Sequence, residues 1–255
     1  TRLALGLMPT RIRGHEGNDQ PLWRPQHVHR LDAPTCGLLV CAKTGHALRS
    51  LSASFAARHV HKRYRALLSG HLAVSRGTIT EPLSGQPART DWRVVARYEG
   101  ACGTSGKKSK TTLVDFFPVT GRTHQLRRHA LMLGHPIVGD TRYGGDASDD
   151  GGDASDDGGD ASDDGGDASD GGGDASDGAG QDREQRRGLA DDALARGLML
   201  SAQQIDFPHP KHGELLVVRA REPSPARFEA YLSGMLRVDA PAPVRSWYDQ
   251  GQRLT

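Results

Sequence analysis

Cysteine is scarce in this chain: Cys36, Cys41 and Cys102 are odd in number and form no CxxC pair. That excludes a disulfide framework and points to reduced thiols in an intracellular compartment, cytoplasm or organelle. No run of 18 or more apolar residues occurs, so no helical membrane span is expected. The chain begins at Thr1 rather than Met, and a longer natural N-terminus, with any targeting segment it carried, is the expectation. Lys and Arg are missing altogether from residues 145–180, and so is every large apolar side chain.

That last absence governs how charge and domains are read. Residues 145–180 repeat GGDASDD and hold thirteen aspartates, so the formal charge of +2 conceals a remainder of 2 + 13 = +15. A body this basic attracts polyanions through phosphate contacts and counterion release. The repeat itself has nothing to stack in a solenoid and cannot bury enough surface to offset its ordering entropy. Calcium-binding repeats also need an apolar residue in each unit, and here there is none. The chain therefore divides into a domain made of 1–144 and 181–240, an acidic insertion at 145–180 and a loose tail at 241–255.

Residues 1–26 read as loop, with one short strand at Leu3–Met8. Gly37–Lys43 reads as a buried strand, and Thr44 as the N-cap of a helix whose Ala47, Leu48, Leu51 and Phe55 recur at helical spacing to about His59. Lys62–Ser69, Thr90–Tyr98 and Thr111–Val119 are strand-like. Thr123 is placed to cap a helix with Leu126, Ala130 and Leu133 on its apolar face, stopped by Gly134 and Pro136. Leu198–Ser201 and Gln204–Phe207 have strand character, and a Pro208–Gly213 turn then leads to Glu214–Arg219 in a hairpin. Ser224-Pro225 starts a last helix with Phe228, Tyr231 and Leu232 on one face. Many short strands without regular βαβ alternation argue for an α+β fold with a mostly antiparallel sheet.

Chemistry concentrates in a few short runs. His29-Arg30-Leu31-Asp32, followed by Thr35 and Gly37, sets a loop carboxylate at the mouth of an apolar run, where it can be held rigid and partly dehydrated. Lys62-Arg63-Tyr64-Arg65-Ala66 with Gly70, then Gly85-Gln86-Pro87-Ala88-Arg89-Thr90, follow in order. Gly121-Arg122-Thr123-His124-Gln125-Leu126-Arg127 and Leu133-Gly134-His135-Pro136-Ile137-Val138-Gly139-Asp140 complete the series, with Tyr143-Gly144 behind them.

Together these segments resemble the signature of the RluA-type pseudouridine synthases over about residues 27–144 and 197–220. The resemblance implies a catalytic core with a long mixed sheet, flanking helices and a central cleft. It also implies isomerisation of uridine to pseudouridine in RNA, without cofactor or metal. By resemblance Asp32 is the nucleophile at C1′, a role carboxylates take in covalent catalysis, and Tyr64 contacts the uracil in the pocket. A guanidinium from the GRTHQLR run keeps Asp32 ionised and in place. Arg127 is the candidate and Arg122 the runner-up, since spacing alone does not separate them. Arg30 matches the residue that enters the RNA as the base leaves, a step that any buried uridine requires. His29 fixes the loop, Thr35 belongs to the same box on the substrate side, and Leu126 matches an apolar position of the pocket. Lys107, Lys108, Lys110, Arg122, Arg127 and Arg128 are candidates for tracking phosphates. The expected partner is an RNA, ribosomal or transfer, with no membrane and no second subunit.

Three departures stand out. Cys36 replaces a usual Ser, Gln86 replaces a frequent Lys, and no Lys-Pro-x-Gly element precedes the HRLD box. Rival readings fare less well. A non-catalytic RNA-binding module would be marked by loss of Asp32, which is present. A metal hydrolase using His27, His29, His124, His129 and His135 lacks HExxH or any similar ligand frame. A scaffold acting through the acidic repeat does not fit an insertion between two core segments.

Overall fold

The computed structural model describes residues 21–101, 108–144, 197–220 and 226–241. Its centre is an eight-stranded sheet built from β2 (Cys36–Gly37), β4 (His61–Ser69), β5 (Arg76–Ile79), β6 (Thr90–Ala101), β7 (Lys108–Pro118), β8 (Leu200–Pro208), β9 (Leu215–Arg219) and β10 (Met235–Asp239). The path runs β10-β6-β7-β4-β8-β2, with β5 beside β6 and β9 beside β8. Among the described residues only β2 and β8 pair in parallel. A two-stranded sheet pairs β1 (Pro21–His27) with β3 (Cys41–Thr44). Among the described residues three helices, α1 (Gly45–Ala56), α2 (Gln125–Met132) and α3 (Ala226–Leu232), flank the sheets. This is the expected α+β, mostly antiparallel architecture.

Period-2 alternation explains the central strands. β6 runs buried and half-buried in turn from Thr90 to Ala96, while β7, at the middle of the sheet, is buried from Thr111 through Phe117. Leu67, Leu68, Val114 and Phe116 are fully enclosed, and α2 adds Leu126 and Ala130 while α3 adds Phe228 to the same core. A second, smaller core joins Leu51 of α1 to Ala42, Ile205 and Phe207. Thr44 caps α1 as expected, its Oγ1 accepting from the Ala47 amide at 3.2 Å.

Several local expectations are corrected. The loop expected up to residue 26 is strand β1 from Pro21 onward, and Leu3–Met8 lies outside the described residues. The single strand expected over 37–43 divides between two sheets. Gly37, at φ 107°, presses against the Ala202 backbone where no Cβ fits, and residues 38–40 carry the chain across to β3. Helix α1 stops at Ala56, short of His59, with Arg58 turning at positive φ. Thr123 does not cap α2; His124 occupies that position. β5 and β10 were not foreseen, because each lies along β6 and is specified by that neighbour rather than by its own pattern. The hairpin after residue 198 forms as β8 and β9.

Between β4 and the return at Gly197, residues 136–140 act as a stitch. Leu67 bonds Met199, Met199 bonds Val138 and Val138 bonds Leu67 through their backbones, at 2.9–3.1 Å. Gly139, at φ 76°, lies against the Gly197 carbonyl so closely that any Cβ would clash. Gly139, five residues before the described structure breaks at Gly144, thus lies directly against Gly197, where it resumes.

Candidate active site

Asp32 rides on the connection from β1 to β2. The Thr35 amide donates to the Asp32 carbonyl at 2.8 Å, which makes Ala33-Pro34 a tight turn. Behind it the Val28 amide reaches the Val40 carbonyl at 3.2 Å. His29 locks this crossing: its Nε2 accepts from the Val40 amide at 3.0 Å, and its ring stacks on Phe55 of α1 at 5.0 Å. Burial pushes the His29 pKa down to about 4, so the ring stays neutral and its lone pair stays available. The side chain of Asp32 stays one-fifth exposed on this pinned loop.

On β4 lies Tyr64, half-buried. Burial, then the charge of Asp32, raises the phenol to about 12, so a neutral Tyr64 lies within the field of the carboxylate. The third wall is the approach to α2. Gln125 ties it down, donating to the Arg89 carbonyl at 3.0 Å and to Thr90 Oγ1 at 2.9 Å. Its Oε1 accepts from the Thr120 hydroxyl at 2.7 Å and the Arg122 amide at 2.9 Å. His124 is thereby held at φ 51°, a left-handed conformation uncommon for a residue with a Cβ. Its Nε2 stands 4.0 Å from Asp32 Oδ1, and its Nδ1 is 2.9 Å from the Tyr143 hydroxyl.

The arginine expected on Asp32 goes elsewhere. Arg127 is buried and forks onto Asp140, Nε to Oδ2 and Nη2 to Oδ1, both at 2.7 Å. Asp140 also accepts the amides of Arg142 and Tyr143 at 3.1 Å each. The reason is geometric. A planar guanidinium is best matched by a bidentate carboxylate, and the Asp140 turn supplies one directly against α2. Hydrogen bonding to Asp140 dominates the upward shift of the Arg127 pKa, and the charge of Asp32 adds to it from farther off. Arg122, the runner-up, donates to the Pro87 carbonyl at 3.1 Å. The side chain found beside Asp32 is instead the His124 imidazole, at 4.0 Å, a residue considered from sequence only as a metal ligand.

The remaining candidates separate. Arg30 is exposed and reaches Thr123 Oγ1 at 3.4 Å, free to swing outward. Thr35 is buried, and its hydroxyl has no hydrogen-bond partner among the described residues. His29 has its ring against the Val40 amide and Phe55 of α1. Leu126 packs in the main core. Of the phosphate candidates, Lys107 lies outside the described residues, Arg127 is enclosed by Asp140, Arg128 bonds Ser84 at 2.9 Å, and exposed Lys110 stands 3.9 Å from Glu99. Among the described residues no group of three His, Cys, Asp or Glu is placed to hold a metal ion. Sequence reasoning missed Asp140 and Tyr143 as site residues, although both sit in the LGHPIVGD and YG runs it had marked.

A loop carboxylate acting on a half-buried tyrosine of an eight-stranded, mostly antiparallel sheet defines a class, and comparison with known proteins gives its name. The family model described as RNA pseudouridylate synthase matches residues 18–131. The chain is 42% identical over 133 residues to the dual-specificity RNA pseudouridine synthase RluA of Vibrio parahaemolyticus, covering 46% of this chain and 51% of that protein. It is 32% identical over 216 residues to tRNA pseudouridine synthase C of Salmonella typhi, covering 76% of this chain and 68% of that one. Among solved structures, human RNA pseudouridylate synthase domain containing 1 superposes with a TM-score of 0.53 at 27% identity, over 78% of this chain and 70% of that one. The chain thus spans about half the length of the first relative and two-thirds of the second. It belongs to the RluA-type RNA pseudouridine synthase family.

Proposed function

We propose that this protein isomerises uridine to pseudouridine in structured RNA, ribosomal or transfer, with Asp32 as the nucleophile. The observation that carries the reading is Asp32 itself, a carboxylate on a doubly pinned loop whose charge reaches Tyr64 on β4. In this reaction the N1–C1′ bond breaks, uracil turns, and C5 bonds C1′. The proton on C5 leaves and N1 gains one, so the sum is an isomerisation without external redox or cofactor. Asp32 serves C1′ as base and sugar part, and Tyr64 offers a ring face and a hydroxyl to the uracil. Arg30, exposed at the rim, occupies the stack that the extruded uridine leaves. A body of about +15 outside residues 145–180 suits binding to a phosphate backbone. Residues 145–180 are an acidic insertion in one catalytic domain, and the chain works as a monomer.

The test is to map pseudouridines in RNA from cells with and without the protein, then assay a responsive RNA in vitro. Asp32→Asn keeps side-chain volume and removes the nucleophilic charge, so it should melt like wild type and lose turnover. Near-normal turnover by this variant would overturn the assignment.

A further inference from the structure

We propose that His124 is a positioning residue for Asp32, oriented in turn by the hydroxyl of Tyr143. The proposal deepens the functional reading above and rests on it. A carboxylate only accepts hydrogen bonds, so the ring nitrogen turned toward Asp32 must carry the proton. That nitrogen is Nε2, at 4.0 Å, a separation that one small rotation of either side chain closes once substrate excludes water. Nδ1 is then the acceptor, and the Tyr143 hydroxyl at 2.9 Å is the donor that selects this tautomer.

The surroundings are built to keep that arrangement. Tyr143 meets His124 edge to face at 5.6 Å, and Arg127 and Arg142 lie over its ring at 5.0 and 5.7 Å. Asp140 fixes both Arg127 and the turn that carries Tyr143. Backbone strain points the same way: a left-handed histidine is costly, and Gln125 holds it there with four hydrogen bonds. The charged groups facing His124 are Asp32, Asp140, Arg127 and Arg142. Burial outweighs the pull of Asp32, and the two arginines add to it, so the imidazole is held below its ordinary range and stays neutral. A neutral donor steadies Asp32 without neutralising its charge. Arg127 thereby serves the nucleophile through Asp140, Tyr143 and His124 as well as through its own charge.

Two substitutions divide the ring into its halves. In His124→Asn the amide sits near the place of Nδ1 and leaves Asp32 without a donor, while asparagine accepts the left-handed backbone. In His124→Gln the amide reaches the place of Nε2 and restores it. With the full chain and a responsive RNA, His124→Asn should lower kcat about 100-fold, the scale of an ångström misplacement of a reacting group. RNA affinity and melting temperature should stay at wild-type values, and His124→Gln should recover most of kcat. Separately, ¹⁵N spectra of the labelled full chain should show His124 as the Nε2–H tautomer, and Tyr143→Phe should mix in the other. An active wild type with unimpaired His124→Asn overturns the proposal alone, as does an Nδ1–H tautomer. A wild type that makes no pseudouridine in any RNA overturns the functional reading, and this proposal with it.

Discussion

Asp115, on β7, is the most consequential carboxylate outside the site. Its side chain is fully buried and meets three arginines: Arg65 at 2.8 Å, Arg93 at 3.1 Å and Arg63 at 3.4 Å. Arg63 and Arg65 flank Tyr64 on β4, so this cluster holds the strand that aims the tyrosine. Asp115→Asn keeps the shape and removes the charge. At an effective dielectric of about 20, each cation about 4 Å away contributes about 4 kcal/mol of gross attraction, offset by several kcal/mol for dehydrating the carboxylate. The net cost expected is about 3–5 kcal/mol, the usual range for breaking a buried pair. For a domain of this size that lowers Tm by about 6–20 °C. The pH dependence has a definite sign. Although burial opposes it, the three arginines hold the Asp115 pKa below its ordinary 3.8. Its contribution is therefore complete above about pH 4 and is lost as pH falls below that, so wild type and Asp115→Asn should converge in strong acid. Arg63→Met should cost less than Arg65→Met, because burial lowers the Arg63 pKa and leaves its Nε unpartnered. Calorimetric or dichroism melts from pH 3 to pH 8 check all three. A Tm drop under about 3 °C for Asp115→Asn at pH 7 would refute the reasoning.

His29 is depressed to about 4, so the stability it lends is complete above about pH 6.5 and is lost as pH falls toward 4. Melting of wild type should therefore weaken between pH 7 and pH 5 more than that of His29→Gln, and parallel curves would contradict the neutral staple. Arg127→Met strands Asp140 in the interior and should cost about 3–5 kcal/mol; chemical denaturation measures it, and a cost below 1 kcal/mol would deny that the fork matters. Replacing residues 146–178 by a short Gly/Ser linker removes all thirteen aspartates and should leave turnover at saturating RNA unchanged. It should tighten RNA binding at low salt, with the difference fading as salt screens both forms; filter binding at two salt concentrations checks this, and weaker binding after deletion would reverse the sign.

How much of this was legible in the sequence depends on what each feature answers to. β4, β6 and β7 could be read because burial imposes period 2 on their own residues. The cap at Thr44 could be read because capping is local chemistry. β5 and β10 could not, since their pairing with β6 is a long-range contact that leaves no pattern in four or five residues. Asp32 and Tyr64 stood out through the motifs around them. The partner of Arg127 did not: spacing places the guanidinium on α2, but only the folded Asp140 turn decides which of two carboxylates it meets. His124 was hidden for a similar reason, because its left-handed backbone and its distance to Asp32 both depend on Gln125 reaching across to β6.

The contact of Gly139 with Gly197 separates the length of the acidic repeat from the stability of the domain. Between Gly144 and Gly197 lie 52 residues, yet the two ends are fixed by the stitch whatever the connection contains. The entropy of closing such a connection grows only logarithmically, by about 0.6 kcal/mol for each doubling of its length. Gaining or losing a GGDASDD unit, as replication slippage on a repetitive gene would do, is therefore almost invisible to folding. What changes with each unit is charge, by three aspartates at a time, so a change in repeat number acts on electrostatics and leaves the stitch as it is.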